Sequence, residues 1–210
     1  MFNVLMVGVG GQGIVLASDI MAEAAMLAGL DAKKSEIHGM SQRGGPVFSH
    51  VRFGVHVSSP VIARGEADVL YALERMELRR WADHARPGAT AVYIAQDMLP
   101  AGVSAYPDGV DAEIARLFAR VVRFDARALR GRVSAKVKNT ALLGAASLLT
   151  PLPEQCYLDA MVDLVPAGTY AVGLHVGPYD RLHETYLDVI GRWLPSSGYV
   201  PAPDEPVIEH

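Results

Sequence analysis

Phe2-Asn3-Val4-Leu5-Met6-Val7-Gly8-Val9-Gly10-Gly11-Gln12-Gly13 is an apolar run that leads straight into a glycine loop. Gly8, Gly10 and Gly13 fit the spacing G-x-G-x-x-G, and a helical pattern follows at once, so the stretch predicts a buried strand, a tight turn and a helix. A phosphate-binding turn is one meaning of that order. Glycine lets the turn adopt backbone angles that a Cβ forbids, and its bare backbone lets a pyrophosphate approach the free N–H groups of the helix. The other meaning is a tight turn that simply packs a helix onto a sheet.

Outward from the loop, Ile14, Ala17, Met21, Ala24 and Ala28 recur at steps of three and four, with Ser18, Asp19 and Glu23 on another face. This predicts a one-sided helix closed by Gly29. Residues 31–36 predict a second strand and 39–46 a loop rich in glycine. Val47-Phe48-Ser49-His50-Val51-Arg52-Phe53 and Val55-His56-Val57 alternate around Gly54 and predict a hairpin or bulged antiparallel pair, which argues against a purely parallel sheet. Further strands are expected at 67–73, 90–95 and 121–124, and helices at 75–85, 111–120, 139–149, 153–164 and 179–193, with a Pro87-Gly88 turn between elements. Alternating strands and helices predict a three-layer α/β/α Rossmann-like sandwich with a mixed sheet. One domain is expected over 1–194, followed by a proline-rich tail over 195–210.

The chain has 210 residues, half of them hydrophobic, which is enough to bury a real core. A net charge of -4 with dispersed basic residues argues against nucleic acid as a partner. No basic residue precedes Lys33 and no apolar run reaches the roughly 18 residues of a membrane span, so the expected location is the cytoplasm. Cys156 is the only cysteine, so this chain alone makes no disulfide and ligates no Cys-held iron–sulfur cluster. The Walker A ending, the G-x-S-x-G elbow and H-E-x-x-H spacing are missing as well.

Three groups of polar residues are candidates for chemistry. Glu36 falls 23 residues after Gly13, near the place where a dinucleotide fold holds a ribose, but Lys33, Lys34 and Ser35 around it suit phosphate better. The two lysines could equally be solvated charges on a strand edge. His38, Ser41, Gln42 and Arg43 gather in a glycine-rich loop near the strand ends and could grip an anion, or could satisfy only their own turn. Lys136, Lys138 and Asn139 stand at the expected start of a helix, where they could present charge and amide donors, with helix capping the plainer role for Asn139.

Together, the Gly8 to Gly13 loop, Ser35-Glu36-Ile37-His38-Gly39-Met40-Ser41-Gln42-Arg43-Gly44-Gly45 and Lys136-Val137-Lys138-Asn139-Thr140-Ala141-Leu142-Leu143-Gly144 resemble the gamma-type domain of the 2-oxoacid:ferredoxin oxidoreductases. Within that family the likeness is to the small (beta) subunit of the indolepyruvate enzymes. The resemblance implies the fold of the pyruvate:ferredoxin oxidoreductase gamma domain. It implies a complex that decarboxylates a 2-oxoacid on thiamine diphosphate, passes electrons through iron–sulfur clusters to ferredoxin and transfers the acyl group to coenzyme A. Thiamine diphosphate, Mg²⁺ and the clusters would then belong to a large alpha subunit, with none in this chain. For this subunit it implies a share in holding coenzyme A, with Gly8, Gly10, Gly11, Gln12, Gly13, Lys33, Lys34, Ser35, Ser41, Lys138 and Asn139 as the candidate contacts. Arg43 and His38 could reach the partner's active site across the subunit boundary. The isolated chain could also self-associate through surface meant for its partner. The alternative from another class is a stand-alone NAD(P)-binding oxidoreductase, for which no substrate domain or catalytic acid or base can be located in the sequence.

Overall fold

The computed structural model of the chain describes residues 1–38, 45–99, 105–125 and 135–165, with only the backbone of His38 and of residues 135–137. The expected loop residues 39–44, the helix over 179–193 and the tail over 195–210 lie outside the described residues. The elements run in the order β1 (Phe2–Val9), α1 (Ile14–Leu27), β2 (Asp31–His38), β3 (Pro46–Gly54), β4 (Ala67–Ala72) and α2 (Arg75–Arg80). They continue through a 3-10 turn (Ala82–His84), β5 (Ala85–Ala95), α3 (Val110–Leu117), β6 (Arg120–Asp125), α4 (Ala135–Ser147) and α5 (Glu154–Leu164).

Six strands form one sheet in the order β2-β3-β1-β4-β5-β6. β3 runs antiparallel to both β1 and β2, whereas β1, β4, β5 and β6 are mutually parallel, so the sheet is mixed as expected, although the antiparallel partners of β3 are β1 and β2 and not residues 55–57. Residues of β1 point alternately to two cores. Val4 and Met6 pack with α1, α4 and α5 on one face, and Leu5 and Val7 pack with α2 and α3 on the other. That continuous apolar reading is what a strand covered on both faces requires, and burying each such side chain contributes about 1.5–3 kcal/mol. The molecule is thus three layers, α/β/α.

Helix α1 buries Ile14, Ala17, Ile20, Met21, Ala24 and Ala25 against the sheet. Its end matches the sequence: Gly29, at φ 78°, donates to the Met26 carbonyl at 2.9 Å, and Leu30 N donates to the Ala25 carbonyl at 3.0 Å. This pair of bonds closes the helix in a left-handed turn. Ser18, expected on the polar face, is fully buried and donates its hydroxyl to the Val15 carbonyl at 2.8 Å, which removes the cost of hiding it.

Several expectations are corrected. β3 does not fold back on residues 55–57, because β1 and β2 occupy both of its edges; instead Val57 N donates to the Asp31 carboxylate at 2.7 Å. The expected helix over 75–85 is split into α2 and the 3-10 turn at Trp81, whose ring packs against Phe48 in a tilted arrangement with the centroids 4.2 Å apart. Pro87 and Gly88 do not separate elements. They sit inside β5, where the pairing steps from Ala67↔Ala85 to Val69↔Thr90 and Gly88 adopts φ 83° to absorb the extra residues. Helix α3 stops at Leu117, ahead of the expected end, because Arg120 already belongs to β6. Helix α4 begins at Ala135, which places Asn139 inside the helix and rules out the capping role.

Candidate functional site

Strand β1 ends at the point where the chain changes faces: α1 covers one side of the sheet, and α2, which follows β4, covers the other. In open α/β sheets this switch point, at the carboxyl ends of the strands, is where a crevice forms. Here it holds a cavity of about 350 Å³, within the range that takes a small molecule or part of a larger one. Gly11, Gln12 and Gly13 form its floor at the start of α1, Leu73 and Gln96 follow β4 and β5, and Lys138, Asn139 and Thr140 come from the start of α4. Leu16, Ala17, Ile20, Ile94, Leu143 and Val165 make the remaining wall apolar.

The glycine loop is held by a side chain of its own. Gln12 accepts from Val9 N at 2.7 Å through Oε1 and donates through Nε2 to the Leu73 carbonyl at 3.1 Å, tying the end of β1 to the end of β4. Gly10 N donates to the Gly45 carbonyl at 2.8 Å. Gly8 has to be glycine for space, since a Cβ there would stand 2.8 Å from Gln12 Oε1 and 3.0 Å from the Ile14 side chain. Gly13 has two reasons: φ is 83°, and a Cβ would stand 2.8 Å from Asn139 Nδ2.

Asn139 is 8 % exposed and fully engaged. Its Nδ2 donates to the Gly13 carbonyl at 2.7 Å, and its Oδ1 accepts from the hydroxyl of Tyr71, which also donates to the Asn139 carbonyl at 2.9 Å. A relay Tyr71–Asn139–Gly13 therefore fastens β4 and α4 to the glycine loop. Burial pushes the Tyr71 phenol well above its ordinary value, so it remains a donor at any physiological pH. Tyr71 was missed by sequence reasoning. Its one signal is a hydroxyl in an otherwise aliphatic strand, Ala67-Asp68-Val69-Leu70-Tyr71-Ala72.

Lys138 is different from the other lysines. Among the described residues it has no carboxylate partner, and neither the Thr140 hydroxyl nor the Gln96 amide has a hydrogen-bond partner. Lys33 and Lys34 do not line the cavity. They lie on the edge strand β2, where Lys33 meets Asp31 at 3.2 Å and Lys34 is shared by Asp19 and, at 3.0 Å, Glu36. Ser35 stands opposite His50 in the same strand pairing. Glu36 is not placed to hold a ribose next to the loop, because β3 intervenes between β1 and β2, so that β2 lies two strand spacings, roughly 10 Å, from β1. His38 ends β2 opposite Val47, and Ser41, Gln42 and Arg43 lie outside the described residues.

A second polar cluster lies beyond the ends of β4 and β5, toward α2 and α3. Glu74, nearly buried, accepts from Glu77 N at 2.8 Å and from the Tyr106 hydroxyl, and burial raises its pKa. Arg75 meets Asp97 at 2.5 Å and lies 4.4 Å above the Tyr106 ring, and Asp111 accepts from Tyr93 at 2.8 Å and from Arg123 at 3.2 Å. Its role is to hold Asp97, Tyr106 and Asp111 against Glu74, Arg75 and Met76 at the start of α2.

A sequence profile described as pyruvate ferredoxin/flavodoxin oxidoreductase matches residues 3–171, and a second, a GyrI-like small molecule binding domain, matches residues 152–210. The indolepyruvate oxidoreductase subunit IorB of Thermococcus kodakarensis is 32% identical over 183 residues, 82% of this chain and 91% of that protein. That of Archaeoglobus fulgidus is 41% identical over 130 residues, 59% of this chain and 64% of that protein, so this match spans just under two thirds of that relative. Among solved structures, the gamma subunit of a keto/oxoacid ferredoxin oxidoreductase from Geobacter sulfurreducens superposes with a TM-score of 0.58 at 24% identity, covering 79% of this chain and 88% of that one. A 2-oxoglutarate:ferredoxin oxidoreductase from Magnetococcus marinus, solved with 2-oxoglutarate, coenzyme A and succinyl-CoA, gives 0.59 at 20% identity over 100% of this chain and 33% of that one. At those identities the likeness concerns the fold.

Proposed function

Because the chain belongs to the pyruvate ferredoxin/flavodoxin oxidoreductase family, we propose that it is the small subunit of a 2-oxoacid:ferredoxin oxidoreductase that acts on an arylpyruvate such as indolepyruvate. Its large partner would hold thiamine diphosphate, Mg²⁺ and the iron–sulfur clusters and pass electrons to ferredoxin. The part proposed for this chain is to complete the complex and to help hold coenzyme A.

The observation that carries the second part is the cavity at the glycine loop, with the Lys138 ammonium that has no carboxylate partner among the described residues. The donor set fits coenzyme A: Lys138 and Thr140 suit a phosphoryl group, and the apolar wall suits an uncharged stem. Bound there, coenzyme A would supply the thiol that accepts the acyl group. The chain's own residues would do the positioning. Lys138 neutralises phosphoryl charge, the bare backbone at Gly11 leaves room for close approach, and the Tyr71–Asn139–Gly13 relay keeps the loop and α4 in fixed relation. Leu16, Ile20, Ile94 and Leu143 exclude water from the stem.

Affinity purification of the full chain from its own cells tests the reading. A large brown partner that contains thiamine diphosphate, with coenzyme A-dependent reduction of ferredoxin by arylpyruvates, is the expected result. A colourless chain that purifies alone and binds NAD would overturn it.

A further inference from the structure

Gln96 lies one residue beyond the end of β5, on the wall of the cavity, and its amide is the one polar side chain there that comes from the sheet. Its neighbours on that wall are Leu73 and Ile94, which offer side chains of carbon only. Among the described residues the amide has no hydrogen-bond partner, although the backbone that carries it is held on three sides. Gln96 N donates to the Ile94 carbonyl at 2.8 Å. Asp97 is paired to Arg75 at 2.5 Å, with Arg75 in turn set over the Tyr106 ring and 3.5 Å from Asp111. The Met98 sulfur accepts from Gln12 Nε2 at 3.2 Å, which ties the same segment to the glycine loop. A side chain with free hydrogen-bonding capacity on a fixed backbone is what orientation and specificity demand of a binding site.

A primary amide presents an NH2 donor group and a carbonyl acceptor in one plane and carries no charge, so it discriminates by geometry where an ammonium attracts by charge. We propose that Gln96 is the specificity-determining residue of this cavity, taking a neutral amide or hydroxyl of the ligand, and that Arg75 is a positioning residue that aims it through Asp97. This rests on the reading of the cavity as a coenzyme A site, whose ligand carries phosphoryl groups for Lys138 and amides and hydroxyls for Gln96. The two polar walls then divide the work: α4 supplies affinity for any phosphoryl group, and the end of β5 distinguishes coenzyme A from a bare phosphate ester.

Calorimetric titration of the isolated complex with coenzyme A and with inorganic pyrophosphate separates these roles. Gln96→Leu should weaken coenzyme A by about tenfold, the usual effect of leaving one ligand hydrogen bond unmade, and leave pyrophosphate unchanged. Lys138→Met should weaken both. Arg75→Met should repeat the Gln96→Leu pattern with assembly intact by size-exclusion chromatography, and Arg75→Lys should restore most of the loss by keeping the contact to Asp97. If Gln96→Leu binds coenzyme A as the wild type does while Lys138→Met does not, the role of Gln96 is overturned and the coenzyme A reading stands. If neither variant changes the affinity, or the wild-type complex binds no coenzyme A, the coenzyme A reading fails and the role of Gln96 with it.

Discussion

Gly13 and Gly11 both have positive φ, 83° and 92°, but a Cβ on Gly13 would stand 2.8 Å from Asn139 Nδ2, whereas one on Gly11 would meet nothing within 4 Å. Alanine at either position therefore separates backbone strain from steric conflict. The left-handed conformation costs an L-residue about 1–2 kcal/mol, partly offset by the entropy that alanine removes from the unfolded chain, so Gly11→Ala should destabilise by about 1 kcal/mol. At Gly13 the new methyl group must also displace the Asn139 amide. That breaks its bonds to the Gly13 carbonyl and from the Tyr71 hydroxyl, at about 1 kcal/mol each, for a total near 3 kcal/mol. For a chain of this length the melting temperature should fall by about 6–12 °C for Gly13→Ala against about 2–4 °C for Gly11→Ala. In an Asn139→Ala background nothing remains to displace, so Gly13→Ala should cost only the backbone share, about 1 kcal/mol. Urea titrations of the four variants give the numbers. Equal effects of Gly13→Ala and Gly11→Ala, or an undiminished Gly13→Ala effect without Asn139, would refute the packing argument.

Tyr71→Phe should destabilise by about 1–2 kcal/mol in the same denaturation assay, because the buried Asn139 Oδ1 then loses its donor. His50, buried on β3, accepts from Ile62 N at 3.2 Å through Nδ1, and burial, with His84 and Arg52 nearby, holds its pKa below the ordinary 6.5. The unfolded chain therefore takes up this proton first. The contribution of His50 is complete above about pH 6.5 and declines as pH falls below it, so melting temperatures between pH 7.5 and 5 should drop less steeply in His50→Asn, which keeps an acceptor but does not titrate. Lys34→Ala should leave the coenzyme A titration of the complex unchanged, since Lys34 is shared by Asp19 and Glu36 away from the cavity, whereas Lys138→Met should shift it to higher concentration.

The strand-loop-helix start, the glycines, the mixed sheet and the layered fold were legible in the residues themselves. A buried strand must be apolar on both faces, and a turn at positive φ must be glycine, so these demands leave marks at short range. Gly29 closing α1 is such a mark, and so is Gly8 to Gly13. The order of strands was not legible. Nothing local states that β3 inserts between β1 and β2, yet that insertion decides that residues 55–57 have no partner strand and that Glu36 stands two strands away from the loop. The same holds within the site. Lys33, Lys34 and Lys138 are alike as letters, and only the packing gives the first two carboxylate partners and leaves Lys138 on the cavity wall. Asn139 read locally as a cap became a buried link because α4 starts four residues earlier and lies against Tyr71 and Gly13. The sequence by itself determined most of the segments that form elements and the glycine turns at the start and end of α1, because backbone conformation and burial act on neighbours, whereas the Pro87-Gly88 step inside β5 and the path of residues 55–57 depend on which strands pair. The tertiary structure alone decided which polar groups meet, because hydrogen bonds and ion pairs join residues that are 68 and 126 positions apart.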